Sequence, residues 1–470
     1  MNEHTLSITA LADDGRGVAR LDGKVYFVAG ALPGQKVRAR ITLEKKRYAQ
    51  AECLEILENM PDAQPPLCRH AAQCGGCPLQ SMPYTRQLEW KTTMVREAFT
   101  RIAHLPQAPI LPALPAPATQ AYRNKMEFAF GRDAQGGLLL GLRALASRTV
   151  FDVRDCQLLP APAMDIIQAV RKGARATQLP AYDWEAQARA HRAVAVKAEG
   201  FWRFAIVRHA LDAQGQEGWW LHLITSRANA LANAAVRKLG LALLAEFPQL
   251  RGVVHDVRNK HDTLAQGEQR LAVLGADGAK LYHNLGGQRF CLDIGSFFQV
   301  NTGAAQNLCA STCAAMPPVH EEHKPALWDL YCGVGAPGLL LADQLGQLVG
   351  VEFDQNATRM AAHNAAAAGY AHCYYLAGDT ATVLATLPQE QKQPDIVLSD
   401  PPRSGMSPEV IQAIVKAAPK RIIALSCNPA TLARDVALLV AGGYSVQQVQ
   451  PIDLFPHTMH IENVCLLMRE

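Results

Sequence analysis

The stretch Ala326-Leu-Trp-Asp-Leu-Tyr-Cys-Gly-Val-Gly-Ala-Pro-Gly338 predicts the fold of the C-terminal part of the chain. An apolar strand runs into a glycine-rich turn, and an apolar helical pattern follows from Leu339. The next apolar run, Leu348 to Glu352, ends in an acid that suits two ribose hydroxyls. Strand and helix patterns then alternate regularly. This alternation predicts an α/β, Rossmann-like doubly wound sheet with a ligand site at the turn.

The glycine pattern of this turn does not by itself name the ligand. Gly333, Gly335 and Gly338 with an acid downstream fit a dinucleotide fold. Pro337, however, removes a backbone amide that a pyrophosphate would use at the helix N-terminus. S-adenosylmethionine (AdoMet) has no phosphate and does not need that amide. The turn therefore favours AdoMet over NAD, and a Rossmann-like domain without a ligand is the third alternative.

Two further apolar strands of this region end in reactive side chains. They are Asp395-Ile-Val-Leu-Ser-Asp400-Pro-Pro-Arg403 and Ile422-Ile-Ala-Leu-Ser-Cys427-Asn-Pro429. Because strands of an open α/β sheet present their carboxyl ends at one edge, we expect one site there. Glu462 stands just before the last apolar run. Cys427 is a candidate nucleophile, and a small apolar side chain that ends a strand is the alternative.

Composition limits the class of protein. A chain of 470 residues with 49% hydrophobic residues can bury the cores of several domains. The sequence has no apolar run of about 18 residues and no signal pattern at its start, so we expect a cytoplasmic protein without a membrane segment. A net charge of +4 requires local basic patches if the partner is a nucleic acid. Twelve cysteines in such a chain do not indicate a disulfide framework.

Residues 1–60 read as short alternating strands with regularly placed glycines, which predicts a small OB-like β-barrel. Between residues 20 and 47, eight cations accompany two acids, Asp22 and Glu44. The cations are Arg20, Lys24, Lys36, Arg38, Arg40, Lys45, Lys46 and Arg47. A basic face of this kind predicts RNA binding, with base stacking on Tyr26, Phe27 and Tyr48. A solvated strand face is the alternative.

A tight thiol cluster, Cys68-x5-Cys74-Gly-Gly-Cys77-Pro78, follows the barrel. Three cysteines at this spacing, with glycines that let the backbone wrap, predict a metal or iron–sulfur site. The fourth ligand is absent from the cluster, and Cys156 is the next cysteine along the chain. Zinc would accept the same four thiolates, so spacing leaves the metal open.

Residues 61–285 predict a central α+β domain that carries this cluster, and residues 286–470 predict the catalytic domain. Segment 84–117 is expected to lie against the catalytic domain. Predicted strands of the central domain lie near 122–130, 138–142, 193–197, 201–207, 219–224 and 252–257, with helices near 161–175 and 229–246.

Several groups of residues together resemble a known family. They are Cys68-x5-Cys74-x2-Cys77 with Cys156, Gly295-Ser-Phe-Phe-Gln299-Val-Asn301, Asp329-Leu-Tyr-Cys-Gly333, Asp400-Pro-Pro-Arg403-Ser-Gly405, Ser426-Cys-Asn-Pro429 and His460-x-Glu462-x-Val464. In this order they look like the RNA uracil-5-methyltransferase family, closest to the bacterial branch that acts on 23S ribosomal RNA. The N-terminal barrel is similar to a TRAM domain, so the resemblance covers nearly the whole chain.

The resemblance implies a cofactor set and site residues. Cys68, Cys74, Cys77 and Cys156 would bind a 4Fe-4S cluster. The positions that would contact AdoMet are Gln299, Tyr331, Glu352, Asp379 and Asp400, together with Gly333 and Gly335 of the turn. Cys427 falls on the nucleophile and Glu462 on the base. Ala336-Pro337 departs from the Asn-Phe often found there, which implies the loss of a side-chain contact to the cofactor.

The implied chemistry explains these residue types. Carbon 5 of uracil is a weak nucleophile, and a thiolate that adds to carbon 6 converts the ring into an enolate. Cys427 is therefore expected to have a lowered pKa, from a helix predicted to begin at Thr431. Arg403 is expected to donate to the enolate oxygen, and Glu462 to remove the carbon-5 proton.

We expect the target to be a flipped-out or single-stranded uridine of 23S ribosomal RNA, and the protein to be a monomer. A tRNA uracil-5-methyltransferase and a non-catalytic RNA-binding iron–sulfur protein are the alternative functions. His457 and His460 are expected to orient the loop around Glu462.

Overall fold

The computed structural model describes residues 3–12, 14–145, 147, 149–184, 200–318 and 324–470. Within these residues the strands form three sheets that follow one another along the chain.

The first sheet, six strands in the described residues, curves into a small barrel with the order β1-β5-β6-β4-β3-β2. The strands are β1 (Glu3–Ser7), β2 (Ala10–Leu11), β3 (Gly17–Leu21), β4 (Lys24–Ala29), β5 (Lys36–Glu44) and β6 (Tyr48–Glu58). Its core is built from small residues such as Ala19, Val28, Val37 and Ala49, which lets the walls approach closely.

The barrel corrects two expectations about its RNA-binding face. Tyr26 is 6% exposed and lies in the barrel core, so it is not available for base stacking. Half of the eight predicted cations form ion pairs with carboxylates: Lys24 with Glu44, Lys36 with Glu58, Arg38 with Glu3 and Glu55, and Arg40 with Glu52. The predicted basic face is therefore neutralised over the part formed by β5.

A long helix, α1 (Tyr84–Arg101), connects the barrel region to the rest of the chain. Its polar residues Gln87 and Lys91 are buried at the same helical spacing as Val95 and Phe99, because they face the C-terminal domain. The chain after α1 adds to that domain's edge, where the amide of Leu111 donates to the carbonyl of Val449 at 2.9 Å. Segment 84–117 thus contacts the C-terminal domain.

The second sheet, in the central region, has nine strands in the described residues, in the order β13-β12-β11-β10-β7-β8-β9, with β14 pairing with β10 and β15. The elements are β7 (Lys125–Arg132), β8 (Leu138–Arg143), β9 (Val150–Asp152), α2 (Ala163–Ala176), β10 (Trp202–Leu211), β11 (Glu217–Thr225), α3 (Ala230–Glu246), β12 (Leu250–Val257), β13 (Gln269–Leu274), β14 (Lys280–Leu285) and β15 (Gln288–Asp293).

Helices α2 and α3 cover one face of this sheet, and Ile167, Val170 and Val236 share a core with Trp202. The predicted strand at 193–197 lies outside the described residues. The other strands and both helices predicted here overlap observed elements. The hairpin of β14 and β15 spans the predicted boundary between residues 285 and 286.

The third sheet has seven strands in the described residues, in the order β18-β17-β16-β19-β20-β22-β21. Its elements are α4 (Thr302–Ala314), β16 (Ala326–Leu330), α5 (Ala336–Leu339), β17 (Gln347–Glu352), α6 (Gln355–Ala367), β18 (Cys373–Ala377), α7 (Thr380–Thr386), β19 (Ile396–Ser399), α8 (Pro408–Ala417), β20 (Arg421–Ser426), α9 (Pro429–Ala441), β21 (Tyr444–Ile452) and β22 (Glu462–Arg469).

Strands β16 to β20 pair in parallel, and β22 pairs antiparallel to both β20 and β21. The start of β22 therefore lies at the same rim as the ends of the parallel strands. In the described part of the chain, no helix is long and apolar enough to cross a membrane.

Candidate active site

The register of the third sheet brings the predicted cofactor residues together. Leu330 is opposite both Val351 and Ser399, so the residues that follow, Tyr331, Glu352 and Asp400, leave the sheet side by side. These three residues therefore start the rim at which ligands of open α/β sheets bind.

The glycine turn after β16 is shaped by Glu352. Its carboxylate accepts hydrogen bonds from the amide of Gly333 at 3.0 Å and from the amide of Asp354 at 2.8 Å. Gly333 and Gly335 adopt φ angles of 56° and 84°, which favour glycine. A side chain at Gly335 would meet Tyr375 and Ala361, so this glycine shapes the turn. Glu352 thus both orders the turn and lies at the rim.

A small cavity opens beside this turn and is lined by Gln299, Tyr331, Gly333 and Asp400. Its volume of about 70 Å³ is well below that of typical ligand pockets, so a nucleoside-sized ligand would extend from it along the rim. Asp379 lies on that rim as the N-cap of α7, where hydrogen bonds from the amide and hydroxyl of Thr382 lower the pKa of its carboxyl group.

The candidate nucleophile and base lie close together at the ends of neighbouring strands. The β20–β22 ladder ends with Ser426 opposite Asn463, so Cys427 follows the last residue of β20 and Glu462 begins β22 beside it, where its charge acts on the Cys427 thiol. Asn428 caps α9 by accepting from the amide of Ala430 at 3.0 Å, and its side-chain nitrogen donates to the carbonyl of Arg403 at 3.2 Å. The cap fixes the backbone that carries the thiol and joins it to the Asp400 loop.

Burial raises the pKa of two carboxyl groups at this rim. Burial and the neighbouring charge of Asp400 raise the pKa of Glu462 to about 8, against the opposing effect of Arg403. Burial also raises the pKa of Asp400 to about 6. In the free protein Glu462 is therefore largely protonated at neutral pH, and Asp400 is largely ionised.

The expected lowered pKa of Cys427 is wrong for the free protein. Burial and the charge of Glu462 raise the pKa of the thiol to about 11, and Arg403 only partly opposes them. Helix α9 begins at Pro429, two residues before the predicted start, and proline has no amide hydrogen to offer the sulfur. Arg403 is thus the group of the site that favours the thiolate.

His460 holds Arg403 at the rim. An Arg403 guanidinium nitrogen lies 3.2 Å from Nε2 of His460. Burial and then Arg403 lower the pKa of His460 to about 4, so the imidazole is neutral and has one nitrogen free to accept from Arg403. His460 therefore positions a cation, and its lowered pKa makes it a weak base.

The loop between β21 and β22 is anchored by residues that sequence reasoning missed. The buried ammonium group of Lys91 bonds Asp453 at 2.7 Å and the carbonyl of Phe455 at 3.0 Å. Gln87 accepts from the amide of His457 at 2.9 Å. Buried polar groups at positions 87 and 91 of an otherwise apolar helix face are the sequence signal that could have shown this role.

The four predicted cluster cysteines line one cavity of about 630 Å³ in the central domain, next to Arg123. Backbone amides donate to two of the sulfurs, from His70 to Cys68 and from Gly76 to Cys74, both at 3.4 Å. Burial and the other thiols raise the pKa of Cys77 to about 12. In the described residues, no three metal-binding side chains are close enough to surround one ion.

Comparison with known families matches separate parts of the chain. The tRNA (uracil-5-)-methyltransferase model matches residues 382–470, the TRAM domain model matches residues 2–54, and the RNA cap guanine-N2 methyltransferase model matches residues 325–410. The first of these regions contains both Cys427 and Glu462.

Curated relatives extend the match to the full length. An uncharacterized RNA methyltransferase from Nitratidesulfovibrio vulgaris is 39% identical over 99% of this chain and 96% of its own length. The chain belongs to the RNA uracil-5-methyltransferase family. Another RNA methyltransferase of this kind, from Gloeobacter violaceus, is 35% identical over 99% of the chain.

A solved structure shares the fold of this methyltransferase. The tRNA (uracil-54, C5)-methyltransferase of Pyrococcus abyssi, in complex with S-adenosyl-L-homocysteine, is 23% identical. It superposes with a TM-score of 0.72 over 99% of this chain and 100% of its own. The barrel, the central domain and the catalytic domain are thus all present in that enzyme's fold.

Proposed function

We propose that this protein is an AdoMet-dependent enzyme that methylates carbon 5 of a uridine in 23S ribosomal RNA. The observation that carries the proposal is the proximity of Cys427 and Glu462 at the adjoining ends of β20 and β22, at the same rim as Tyr331, Glu352 and Asp400. A nucleophile and a base on adjacent strands can act on one planar ring.

The chain's own residues account for the activation of the ring. The Cys427 thiolate forms a bond to carbon 6, and the electrons of the carbon 5–carbon 6 double bond move toward oxygen 4. Arg403, in contact with His460, favours the thiolate and would stabilise the enolate. Bound AdoMet supplies an electrophilic methyl group that carbon 5 accepts.

The ring is then restored by proton removal. The Glu462 carboxylate takes the proton from carbon 5, the double bond re-forms, and the bond from carbon 6 to sulfur breaks. The thiolate leaves and the methylated uridine is released. Because the pKa of Glu462 is raised to about 8, this step requires the deprotonated minority of Glu462 at neutral pH.

Gln299, Tyr331, Gly333 and Asp400 would hold AdoMet in the cavity, with Glu352 and Asp379 on the rim beyond it. Ala336 and Pro337 form part of the cavity wall and offer the cofactor apolar contact. AdoMet has no phosphate group, so it does not need the backbone N–H that Pro337 lacks at the helix N-terminus.

We further propose that Cys68, Cys74, Cys77 and Cys156 bind a 4Fe-4S cluster. The support is their position on one cavity, two amide hydrogen bonds to sulfur, and the nearby charge of Arg123.

A tRNA uridine is the second candidate substrate. The fold match to the Pyrococcus abyssi tRNA enzyme covers the barrel and the central domain, so this architecture does not separate the two substrates. The barrel is therefore compatible with a tRNA substrate as well.

Both substrates can be tested in parallel. Wild-type protein and the Cys427→Ala variant are incubated with tritiated AdoMet and either unmodified 23S rRNA or unmodified tRNA, and the nucleosides are analysed. We expect 5-methyluridine from 23S rRNA with the wild type alone. If label appeared on tRNA alone, tRNA would be the substrate in place of 23S rRNA. If neither RNA were labelled, the proposed function would be refuted.

The Glu462→Gln variant separates the two halves of the reaction. It should form the bond to carbon 6 and then fail to release it, so a covalent protein–RNA adduct accumulates that is stable in denaturing gels. Rapid turnover by this variant would remove Glu462 from the base role.

A further inference from the structure

A short segment of the central domain, residues 121–124, lies between the cysteine cavity and the loop that joins β21 to β22. On one side, the amide of Arg123 donates to the carbonyl of Leu158 at 2.9 Å, two residues after the fourth cluster cysteine. On the other side, the hydroxyl of Tyr122 donates to the carbonyl of Pro456 at 3.2 Å. The segment therefore contacts both the chain that carries a cluster cysteine and the loop that leads to the candidate base.

The half-buried side chain of Arg123 lies on the wall of the cysteine cavity. Its positive charge opposes the effect of burial, which raises the pKa of three of the four thiols. Asp155, a carboxylate on the same cavity, bonds Arg69 at 2.8 Å. Because a cation withdrawn from water is stabilised by negative charge nearby, Arg123 is suited to an anionic group held by the thiols.

The same guanidinium contacts a ring of the loop between β21 and β22. Its central carbon lies 5.9 Å from the centre of the Phe455 ring, within the range of a cation–π contact. Phe455 meets His460 edge to face, with the ring centroids 5.8 Å apart at an interplanar angle of 81°. His460 contacts Arg403, which favours the Cys427 thiolate. A continuous series of contacts therefore leads from the cysteine cavity to the rim.

We propose that Arg123 is a positioning residue that fixes the loop between β21 and β22 when the cysteine cavity is filled. The guanidinium is oriented by the negative charge of the filled cavity, the Phe455 ring packs on the oriented guanidinium, and His460 packs on the ring. A group that orders a segment in this way couples two sites. This inference rests on the proposed 4Fe-4S cluster for the charge in the cavity, and it adds an effect of that charge on the active site.

Amide hydrogen exchange of the loop, measured by mass spectrometry of its peptides, tests this coupling. The full-length protein is prepared iron-free and after anaerobic reconstitution with iron and sulfide, and the iron content of each sample is determined. Exchange in residues 453–461 is compared with exchange in α6, a helix of the catalytic domain that serves as the internal reference. RNA and AdoMet are omitted.

Substitutions at two arginines of the cavity should differ. In the wild type, iron should slow exchange of the loop by about tenfold or more relative to α6. Arg123→Gln should bind about four irons, but iron should then slow the loop by less than about threefold. Arg123→Lys keeps the charge and should retain most of the slowing. Arg143→Gln is the matched control, because Arg143 lines the same cavity but lies 5.3 Å from the ring of Trp184 in the central domain, and it should behave as the wild type does.

A second substitution breaks the same contact from the side of the loop. Phe455→Leu leaves Arg123 in place and should weaken the effect of iron about as much as Arg123→Gln does. The double variant should lose no more than either single variant, because both remove one contact. Additive losses would overturn the proposal. If Arg123→Gln did not bind iron, undiminished slowing of the loop in Phe455→Leu would overturn it.

The outcomes separate this coupling from the proposed function. Equal slowing of the loop in the wild type and in Arg123→Gln would overturn the coupling, as would a loop whose exchange does not respond to iron. A wild type that binds no iron would refute both the cluster and the coupling. A wild type whose loop responds to iron but which does not methylate RNA would refute the proposed function and leave the coupling standing.

Discussion

Cys427 and the four cysteines of the central cavity show how one side chain serves two purposes. At Cys427 the groups that raise the thiol pKa are burial and carboxylates, and Arg403 stands against them. In the cavity, burial comes first, and at Cys77 the other thiols add to it. The single thiol needs only a local change of charge to ionise. The four thiols need a cationic group to ionise together, because each thiolate disfavours the next.

The largest effect should separate the two regions by activity. Cys427→Ala should reduce methyl transfer by at least about 10⁴-fold, because in the proposed mechanism carbon 5 becomes nucleophilic only after a thiolate has added to carbon 6. The measurement is tritium transfer from AdoMet to RNA. Cys53→Ala, at a half-buried thiol of the barrel, is the matched control and should retain activity within about twofold. Substantial transfer by Cys427→Ala would end the nucleophile assignment.

Iron content should also separate the two regions, because a substitution in the cavity should remove iron and a substitution of Cys427 should not. After anaerobic reconstitution with iron and sulfide, wild type and Cys427→Ala should each bind about four irons, and Cys77→Ala should bind less than about one. Removal of the iron should also lower the melting temperature by about 5 °C, because ligand binding stabilises the folded state. If the protein bound zinc in preference to iron, the assignment of a 4Fe-4S cluster to this cavity would be wrong.

The raised pKa of Glu462 should make the stability of the protein depend on pH. Its folded-state pKa is raised from 4.5 to about 8, so the folded protein binds this proton more tightly than the unfolded chain does. Stability from this group is therefore lost as pH rises from about 5 to about 8. Relative to wild type, Glu462→Gln should gain a few kcal/mol at most in free energy of unfolding over that interval, since one pKa unit is about 1.4 kcal/mol.

Denaturant unfolding at several pH values measures this difference, and Glu409→Gln on the surface of α8 is a control with an exposed carboxylate. Turnover should follow the same group, with proton removal becoming faster up to about pH 8 in the wild type. A stability difference that does not change with pH would show that Glu462 is not protonated in the folded protein.

The smallest effect concerns Arg403. Its replacement by Gln removes the cation that lowers the pKa of the Cys427 thiol, so the pH midpoint of Cys427 alkylation should rise by about half a unit to one unit. Mass spectrometry after iodoacetamide treatment measures this midpoint. Lys416→Gln, an exposed cation of α8, should leave it in place. A midpoint that falls in Arg403→Gln would contradict the assigned role of the arginine.

The sequence predicted the rim of the third sheet because each signal for it is a short pattern of neighbouring residues. Each strand that ends at Tyr331, Asp400 or Cys427 shows an apolar run followed by a turn, and parallel pairing brings such ends together. The glycine turn and the thiol cluster were also visible as short patterns. These features depend on residues close together in the chain.

What the sequence could not show depends on partners far away in the chain. The carboxylates Glu52, Glu55 and Glu58 that neutralise β5 lie beyond the window in which the cations were counted, and only the β5–β6 ladder brings them opposite. The pairing of Lys91 with Asp453 joins residues 362 positions apart. The raised pKa of Cys427 likewise follows from burial, which no motif reports.

The antiparallel placement of β22 has a consequence for how the enzyme is assembled. Because Glu462 begins its strand, it reaches the rim from a loop that is bonded to Gln87 and Lys91 of α1, to Leu79 beside the cysteine cavity, and that touches the barrel at Gly15. The Glu462 carboxylate is thus set in place by three separate segments of the chain. A C-terminal fragment with an intact sheet and glycine turn would therefore still lack the contacts that fix this carboxylate.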